Sequence, residues 1–404
     1  MLMVTFKDVE EAYQILKPVI RKTPLDRSKT FSNLLKTNIY LKEENLQTTG
    51  SFKIRGAYNK IYHLTQQEKK QGVVCASAGN HAQGVALAST LMKVKSTVYM
   101  PIYTSPAKVI ATKSYGAQVV LEGATYDDAA QAAKKYAEEK KLTFVHAFND
   151  KHVIAGQGTI GIEIYNDLPT VDAVIIPIGG GGLIGGVALA LKTLKPTVKI
   201  IGVEAEGAQS MKLSLEQHKI VPLKSIMTIA DGIAVKTPKD LTFALAEQYI
   251  DEVVTVNDEE IANALYLLLQ RTKLVVEPAG AVGLAALLSK KISAPKKNIV
   301  AVLSGGNVNL ALLTQIIERG MMRHKLLVKV SITALDKPRV LKDILAILGN
   351  VGANVTSIDH DRITTAVPVG YVKIIITFQT LGREQIEMIK EKFDSKKVHY
   401  HIVS

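Results

Sequence analysis

Between residues 73 and 310, short apolar runs alternate with longer stretches at helical spacing. The series opens on Val73-Val74-Cys75-Ala76, read as a strand, followed by a helix over 81–92. A strand over 96–100 leads to a helix over 106–115, and one over 119–121 to a helix over 126–139. Further strands are read at 173–176, 199–203 and 299–303. Apolar runs without polar alternation suit parallel strands covered on both faces. Intervening helices supply the crossovers, so the pattern predicts an α/β fold.

Beyond residue 324 the pattern changes. Val328, Val330, Ile332 and Ala334 alternate with Lys329, Ser331 and Thr333, which marks a half-buried strand. Val340, Leu341, Ile344, Leu345 and Leu348 then repeat at helical spacing. Strands over 353–358 and 371–378, a helix carrying Ile386, Ile389 and Phe393, and a strand over 398–403 complete a βαββαβ order. That is the order of a ferredoxin-like α+β module. With the join at 319–325, the domains are expected at 1–323 and 324–404.

Composition narrows the partners. A chain of 404 residues, 47% of them hydrophobic, is too long for one ordinary core. The net charge of +13 comes mostly from lysines scattered singly or in pairs, and Trp is absent. Without a basic run or an aromatic stacking platform, no nucleic-acid partner is expected; the surface favours small anionic ligands instead. Cys75 is the only cysteine, which excludes an internal disulfide and a cysteine-built metal cluster. Residues 1–13 carry Lys7, Asp8, Glu10 and Glu11 and lack the apolar run of a signal peptide. The uncharged stretch 173–191 is long enough to span a membrane, but its six glycines and Pro177 break it into strand, loop and helix. A cytoplasmic protein without a membrane partner is therefore expected.

Four stretches carry chemistry. Lys53, in Thr49-Gly50-Ser51-Phe52-Lys53-Ile54-Arg55-Gly56-Ala57, is flanked by small and apolar residues at a helix start. Desolvation there would lower its pKa and free the amine for Schiff-base chemistry. Ser77-Ala78-Gly79-Asn80-His81 follows a strand and opens a helix, an arrangement that turns backbone N–H groups toward an anion. Gly179-Gly180-Gly181-Gly182-Leu183 does the same with more room for phosphate oxygens. Ser304-Gly305-Gly306-Asn307 places a hydroxyl at a strand end. The tetraglycine loop also admits a second reading. Gly180, Gly182 and Gly185 fit a dinucleotide fingerprint, with Glu204 where a ribose-binding acid belongs. From these residues alone, an NAD-dependent oxidoreductase stays open.

Together these stretches resemble the fold type II pyridoxal-phosphate enzymes, most closely the threonine dehydratases (threonine ammonia-lyases) of the catabolic branch. The likeness runs from residue 5 to about 323. It includes Val153-Ile154-Ala155-Gly156-Gln157-Gly158-Thr159-Ile160-Gly161 and Ala230-Asp231-Gly232. It implies two open, mostly parallel sheets covered by helices, with a smaller subdomain near 45–147. It implies pyridoxal 5'-phosphate as cofactor, held on Lys53, which also moves the substrate α-proton. Phe52 and Asn80 would contact the cofactor ring and its 3-hydroxyl, Gly179 to Leu183 its phosphate, and Ser304 its pyridine nitrogen. Ser77, Ala78, Gly79 and His81 would hold the substrate carboxylate, with Gly232 and Glu277 near the cofactor. The implied reaction takes L-threonine to 2-oxobutanoate and ammonia, and L-serine to pyruvate as a side activity.

A serine dehydratase or racemase of the same fold is the alternative within the resemblance. Racemases of the family carry a second serine where this chain has Ala78, so racemisation should be minor. They also hold a metal with a glutamate and an aspartate; Glu204 matches the first, but Ser210 replaces the second, so no metal is expected. The tail resembles an ACT domain, an amino-acid sensor that usually pairs with its own copy. It implies an effector such as isoleucine or valine and a homo-oligomer, dimer or tetramer. The family's first loop usually reads Pro-Gly; here it is Pro338-Arg339.

Overall fold

Uninterrupted apolar runs such as Val73–Ala76 and Ala173–Pro177 form strands that bury completely. In the computed structural model, which describes residues 4–292 and 297–403, the strands up to residue 302 are, in chain order, β1 (Leu25–Arg27), β2 (Asn38–Lys42), β3 (Val73–Ala76), β4 (Ser96–Met100), β5 (Gln118–Leu121), β6 (Thr143–Phe144), β7 (Ala173–Pro177), β8 (Lys199–Ala205), β9 (Glu252–Val256) and β10 (Asn298–Val302). They make two sheets. One runs β1-β2-β10-β7-β8-β9, parallel except for the β1 edge; the other, β5-β4-β3-β6, is parallel throughout. Val174, Ile176, Val300 and Val302 fill the core under the larger sheet, and Val73, Cys75 and Val98 the core under the smaller. The α/β expectation and most of its strands hold. β1, β2, β6 and β9 were not foreseen, being short or half-exposed and interrupted by polar residues.

The helix Lys151–Asp167 was also not read from the sequence. Three glycines depress its helical propensity, and tertiary contact explains them. A Cβ on Gly156 would lie 2.6 Å from the Arg55 carbonyl oxygen, and one on Gly186 would lie 2.3 Å from that of Ile154. Glycine there lets this helix press against both the helix Lys53–Tyr62 and the helix Gly182–Leu194. The stretch 173–191 is strand, turn and helix as expected, and among the described residues no helix is long and apolar enough to cross a membrane.

The chain divides into two compact units, Met1–Asn309 and Leu310–Ser404. The second begins with the helix Leu310–Arg323, so the division falls N-terminal to the 319–325 join read from the sequence. There follow β11 (Leu327–Leu335), a helix Val340–Asn350, β12 (Asn354–Asp361), β13 (Tyr371–Gln379), a helix Arg383–Ser395 and β14 (His399–Ile402). The antiparallel order β12-β13-β11-β14 buries Val330, Ile332, Ile374 and Ile376 against Ile344, Leu348 and Phe393. Exposed Arg339 takes φ +77°, the left-handed conformation that favours glycine.

Candidate active site

The loops that follow β3, β7 and β10 converge on one cleft of about 690 Å³, at the carboxyl edges of parallel strands where open α/β sheets place ligands. The helix Lys53–Tyr62 supplies its floor. Residues 50–52 are strapped to the β10 loop: Gly306 N–H donates to Gly50 O at 2.8 Å, Phe52 N–H donates to Ser304 O at 3.1 Å, and Ser51 bridges Gly305. This strap fixes Lys53 as the first residue of its helix, with Nζ turned inward. Nζ donates to Ala147 O at 3.0 Å and lies 5.1 Å from the centre of the Phe52 ring. Burial pulls the Lys53 ammonium down to about 8, against the opposing pull of Glu277. That raises the uncharged fraction near neutral pH above that of an ordinary lysine.

Across the cleft, Gly181 takes φ +88° and begins the helix Gly182–Leu194 without any side-chain cap. The first backbone N–H groups of that helix, Leu183 among them, are thus available to an anion favoured by the helix dipole. The loop has no room for side chains. A Cβ on Gly180 would lie 2.3 Å from the Phe148 ring, and one on Gly179 would lie 2.9 Å from the Ile233 backbone.

The third wall is the β3 loop. Ser77 Oγ accepts the Gly79 N–H at 3.2 Å, and the space a Gly79 side chain would fill is open. Asn80 begins the helix Asn80–Leu91, again without a side-chain cap. Its Nδ2 donates to Glu277 Oε1 at 2.6 Å, while its Oδ1 accepts from Asn307 Nδ2 at 2.6 Å. Burial, reinforced by Asp231, pushes the Glu277 carboxyl up to about 7 although the Asn80 bond opposes it. His81 Nε2 donates to Val145 O at 2.9 Å, and burial pulls its pKa down to about 3. That bond commits one ring nitrogen to the strand end. Gly232, Ala78 and buried Ser304 also line the cleft. Every site residue expected from the sequence therefore borders this one cleft.

Glu204 does not. Its two carboxylate oxygens accept the backbone N–H groups of Met211 and Lys212 at 2.9 and 2.8 Å, and Ser210 Oγ donates to Val235 O. Tied to a helix start, that carboxyl has no face for a ribose, which removes the key contact of the dinucleotide reading. Among the described residues, no cluster of three His, Cys, Asp or Glu side chains could hold a metal ion.

The segment 145–149 was missed altogether, because nothing in Val145-His146-Ala147-Phe148-Asn149 marks it as a ligand loop. Also missed was a buried charge cluster behind Lys53. Arg55 is forked onto Glu44 and Glu163, and Lys42 Nζ donates to Glu163 at 2.5 Å. Four charges from sequence positions 42 to 163 meet with no exposure above 4%. No local pattern reveals that encounter.

A partly neutral amine, an uncapped helix start and a buried hydroxyl at a strand end suit a phosphorylated aldehyde. The comparisons with known proteins agree. The family described as pyridoxal-phosphate dependent enzyme matches residues 16–305. An L-threonine ammonia-lyase of Thermotoga maritima is 47% identical over 401 residues, covering 99% of this chain and 100% of the relative. Among solved structures, the processed form of threonine deaminase isoform 2 from Solanum lycopersicum superposes with a TM-score of 0.75 at 39% identity, covering 78% of this chain and 92% of its own. Maize serine racemase gives a TM-score of 0.75 at 35% identity, covering 80% and 99%. Since the matched span contains Lys53, the glycine loop and Ser304, the chain belongs to the pyridoxal-phosphate dependent enzymes.

Proposed function

We propose that the protein is a threonine ammonia-lyase that converts L-threonine to 2-oxobutanoate and ammonia, with L-serine to pyruvate as a side activity. The observation that carries this reading is the Lys53 amine, desolvated and held at the head of its helix opposite the glycine loop. The full-length relative and the solved threonine deaminase support the choice of substrate. Bound pyridoxal phosphate supplies a conjugated sink for the charge that develops on the substrate α-carbon. The protein's own residues do the rest. Lys53 would anchor the cofactor, and its Nζ would be the base that takes the substrate α-proton. Backbone N–H groups of Gly179 to Leu183 would hold the phosphate. Phe52 would pack on the ring, Asn80 would meet its 3-hydroxyl, and Ser304 would face its nitrogen. A hydroxyl there, unlike a carboxylate, would leave the nitrogen unprotonated, which would limit charge delocalisation and favour elimination. Ser77, Ala78, Gly79 and His81 would hold the substrate carboxylate, with the Ser77 N–H already donated to Tyr99 O and the Gly79 N–H to Ser77 Oγ. Gly232 and Glu277 support the site, Glu277 through Asn80.

Ala78 offers no exchangeable proton on the opposite face of the α-carbon, which argues against the racemase alternative. The C-terminal unit is proposed as an ACT-type sensor of an amino acid such as isoleucine or valine, paired with its own copy in a cytoplasmic dimer or tetramer. Its βαββαβ order and the glycine-like conformation of Arg339 support this.

The test is a coupled keto-acid assay on the protein loaded with pyridoxal phosphate. Threonine should yield 2-oxobutanoate and ammonia in equal amounts, with less pyruvate from serine. A protein that binds the cofactor but racemises serine without releasing ammonia would refute the reading.

A further inference from the structure

Residues 145–149 connect β6 to the helix Lys151–Asp167 without a glycine, yet they reach both halves of the site. Ala147 O accepts from Lys53 Nζ at 3.0 Å. The Phe148 side chain occupies the space that a Cβ on Gly180 or Gly182 would need, at 2.3 and 2.9 Å. The turn between them is held by a side chain. His146 Nδ1 accepts the backbone N–H of Phe148 at 3.2 Å and of Asn149 at 2.9 Å. Asn and Asp make such turns with a side-chain oxygen; here an imidazole does it. A nitrogen that receives two N–H donors carries no proton, so the ring proton sits on Nε2. The His146 and Phe148 rings meet edge-on, with centres 4.7 Å apart.

We propose that His146 is a positioning residue for Lys53: by folding the 146–149 turn onto its own Nδ1, it aims the Ala147 carbonyl at the Lys53 amine and so orients that amine for the cofactor aldehyde. Burial, with Lys134, Lys53 and Lys239 nearby, pulls the imidazole down to about 4, which keeps Nδ1 free to accept near neutral pH. The inference rests on the cofactor reading above, and it concerns amine orientation apart from phosphate binding.

The experiment uses full chains stripped of cofactor and two probes. Pyridoxal phosphate reports covalent loading through its visible absorption band. Pyridoxine 5'-phosphate, an alcohol in place of the aldehyde, reports binding without a bond to lysine. His146→Leu should load pyridoxal phosphate roughly a hundredfold more slowly, as expected when a reacting group is misplaced by about 1 Å, and should bind pyridoxine phosphate within about threefold of wild type. His146→Asn, which keeps an acceptor for the turn, should load within about threefold of wild type. Leucine protein that loads at the wild-type rate, or that loses both probes in parallel, would overturn the proposal. If the leucine chain does not fold, the asparagine chain decides: loading slowed a hundredfold overturns the proposal, and near-normal loading supports it. Wild-type protein that binds neither probe would overturn the cofactor reading itself.

Discussion

Lys53→Ala protein should release 2-oxobutanoate from threonine more than about 10⁴-fold more slowly than wild type, because covalent anchorage and proton transfer fail together. It should also form no visible band with pyridoxal phosphate, while still binding pyridoxine phosphate through the intact glycine loop. The histidines that border the cleft are poor substitutes. His81 and His146 border the cleft, but backbone groups occupy His81 Nε2 and His146 Nδ1, and burial pulls the two rings down to about 3 and about 4. Such rings are poor bases at neutral pH. Lys108 is paired with Asp231 at 2.9 Å. Single-turnover kinetics and an absorption spectrum of the variant check both halves. Ammonia release at a wild-type rate would remove Lys53 from the chemistry.

The largest stability loss is expected at Arg55. Its guanidinium is wholly buried; Nε and Nη2 donate to Glu44 at 2.8 Å each, Nη1 donates to Glu163 at 2.7 Å, and Nη1 also donates to Thr159 at 3.1 Å. Arg55→Met would leave Glu44 with only the Thr23 hydroxyl and Glu163 with only Lys42 among these side-chain partners. Removing one partner from a buried ion cluster costs about 3–5 kcal/mol, which should appear as a lower urea midpoint for the transition of the N-terminal unit. The cluster also sets an acid limit. Burial pushes the Glu163 carboxyl up, but Arg55 and Lys42 outweigh it and hold the folded-state pKa below the ordinary value of 4.5. Its stabilising contribution is therefore fully present above the ordinary carboxylate range. It is lost as pH falls through that lowered value. Urea midpoints that are unchanged in Arg55→Met, from pH 7 down to pH 4, would contradict this account.

The parts legible in the sequence are those where chemistry is local. The buried strands β3 and β4 could be bounded because every residue in them is apolar or small and all are covered. The tetraglycine loop announced itself through its composition, since nothing larger fits between Gly180 and Phe148. The strand β11 was readable because it buries one face along most of its length, so that Val328, Val330 and Ile332 alternate with Lys329, Ser331 and Thr333. What escaped depends on encounters between distant segments. Gly156, Gly158 and Gly161 look like helix breakers until another backbone is seen to press against them. Arg55 and Glu163 lie 108 positions apart, and neither advertises burial. His146 is a lone histidine in sequence; only its two backbone donors reveal a turn.

The central claim is that one buried amine carries the cofactor. Borohydride reduction of the loaded protein, followed by proteolysis and mass mapping, tests it directly. The account predicts a single pyridoxyl phosphate adduct on the peptide that contains Ser51-Phe52-Lys53-Ile54, at Lys53. An adduct on any other lysine, or active protein with none, would contradict it.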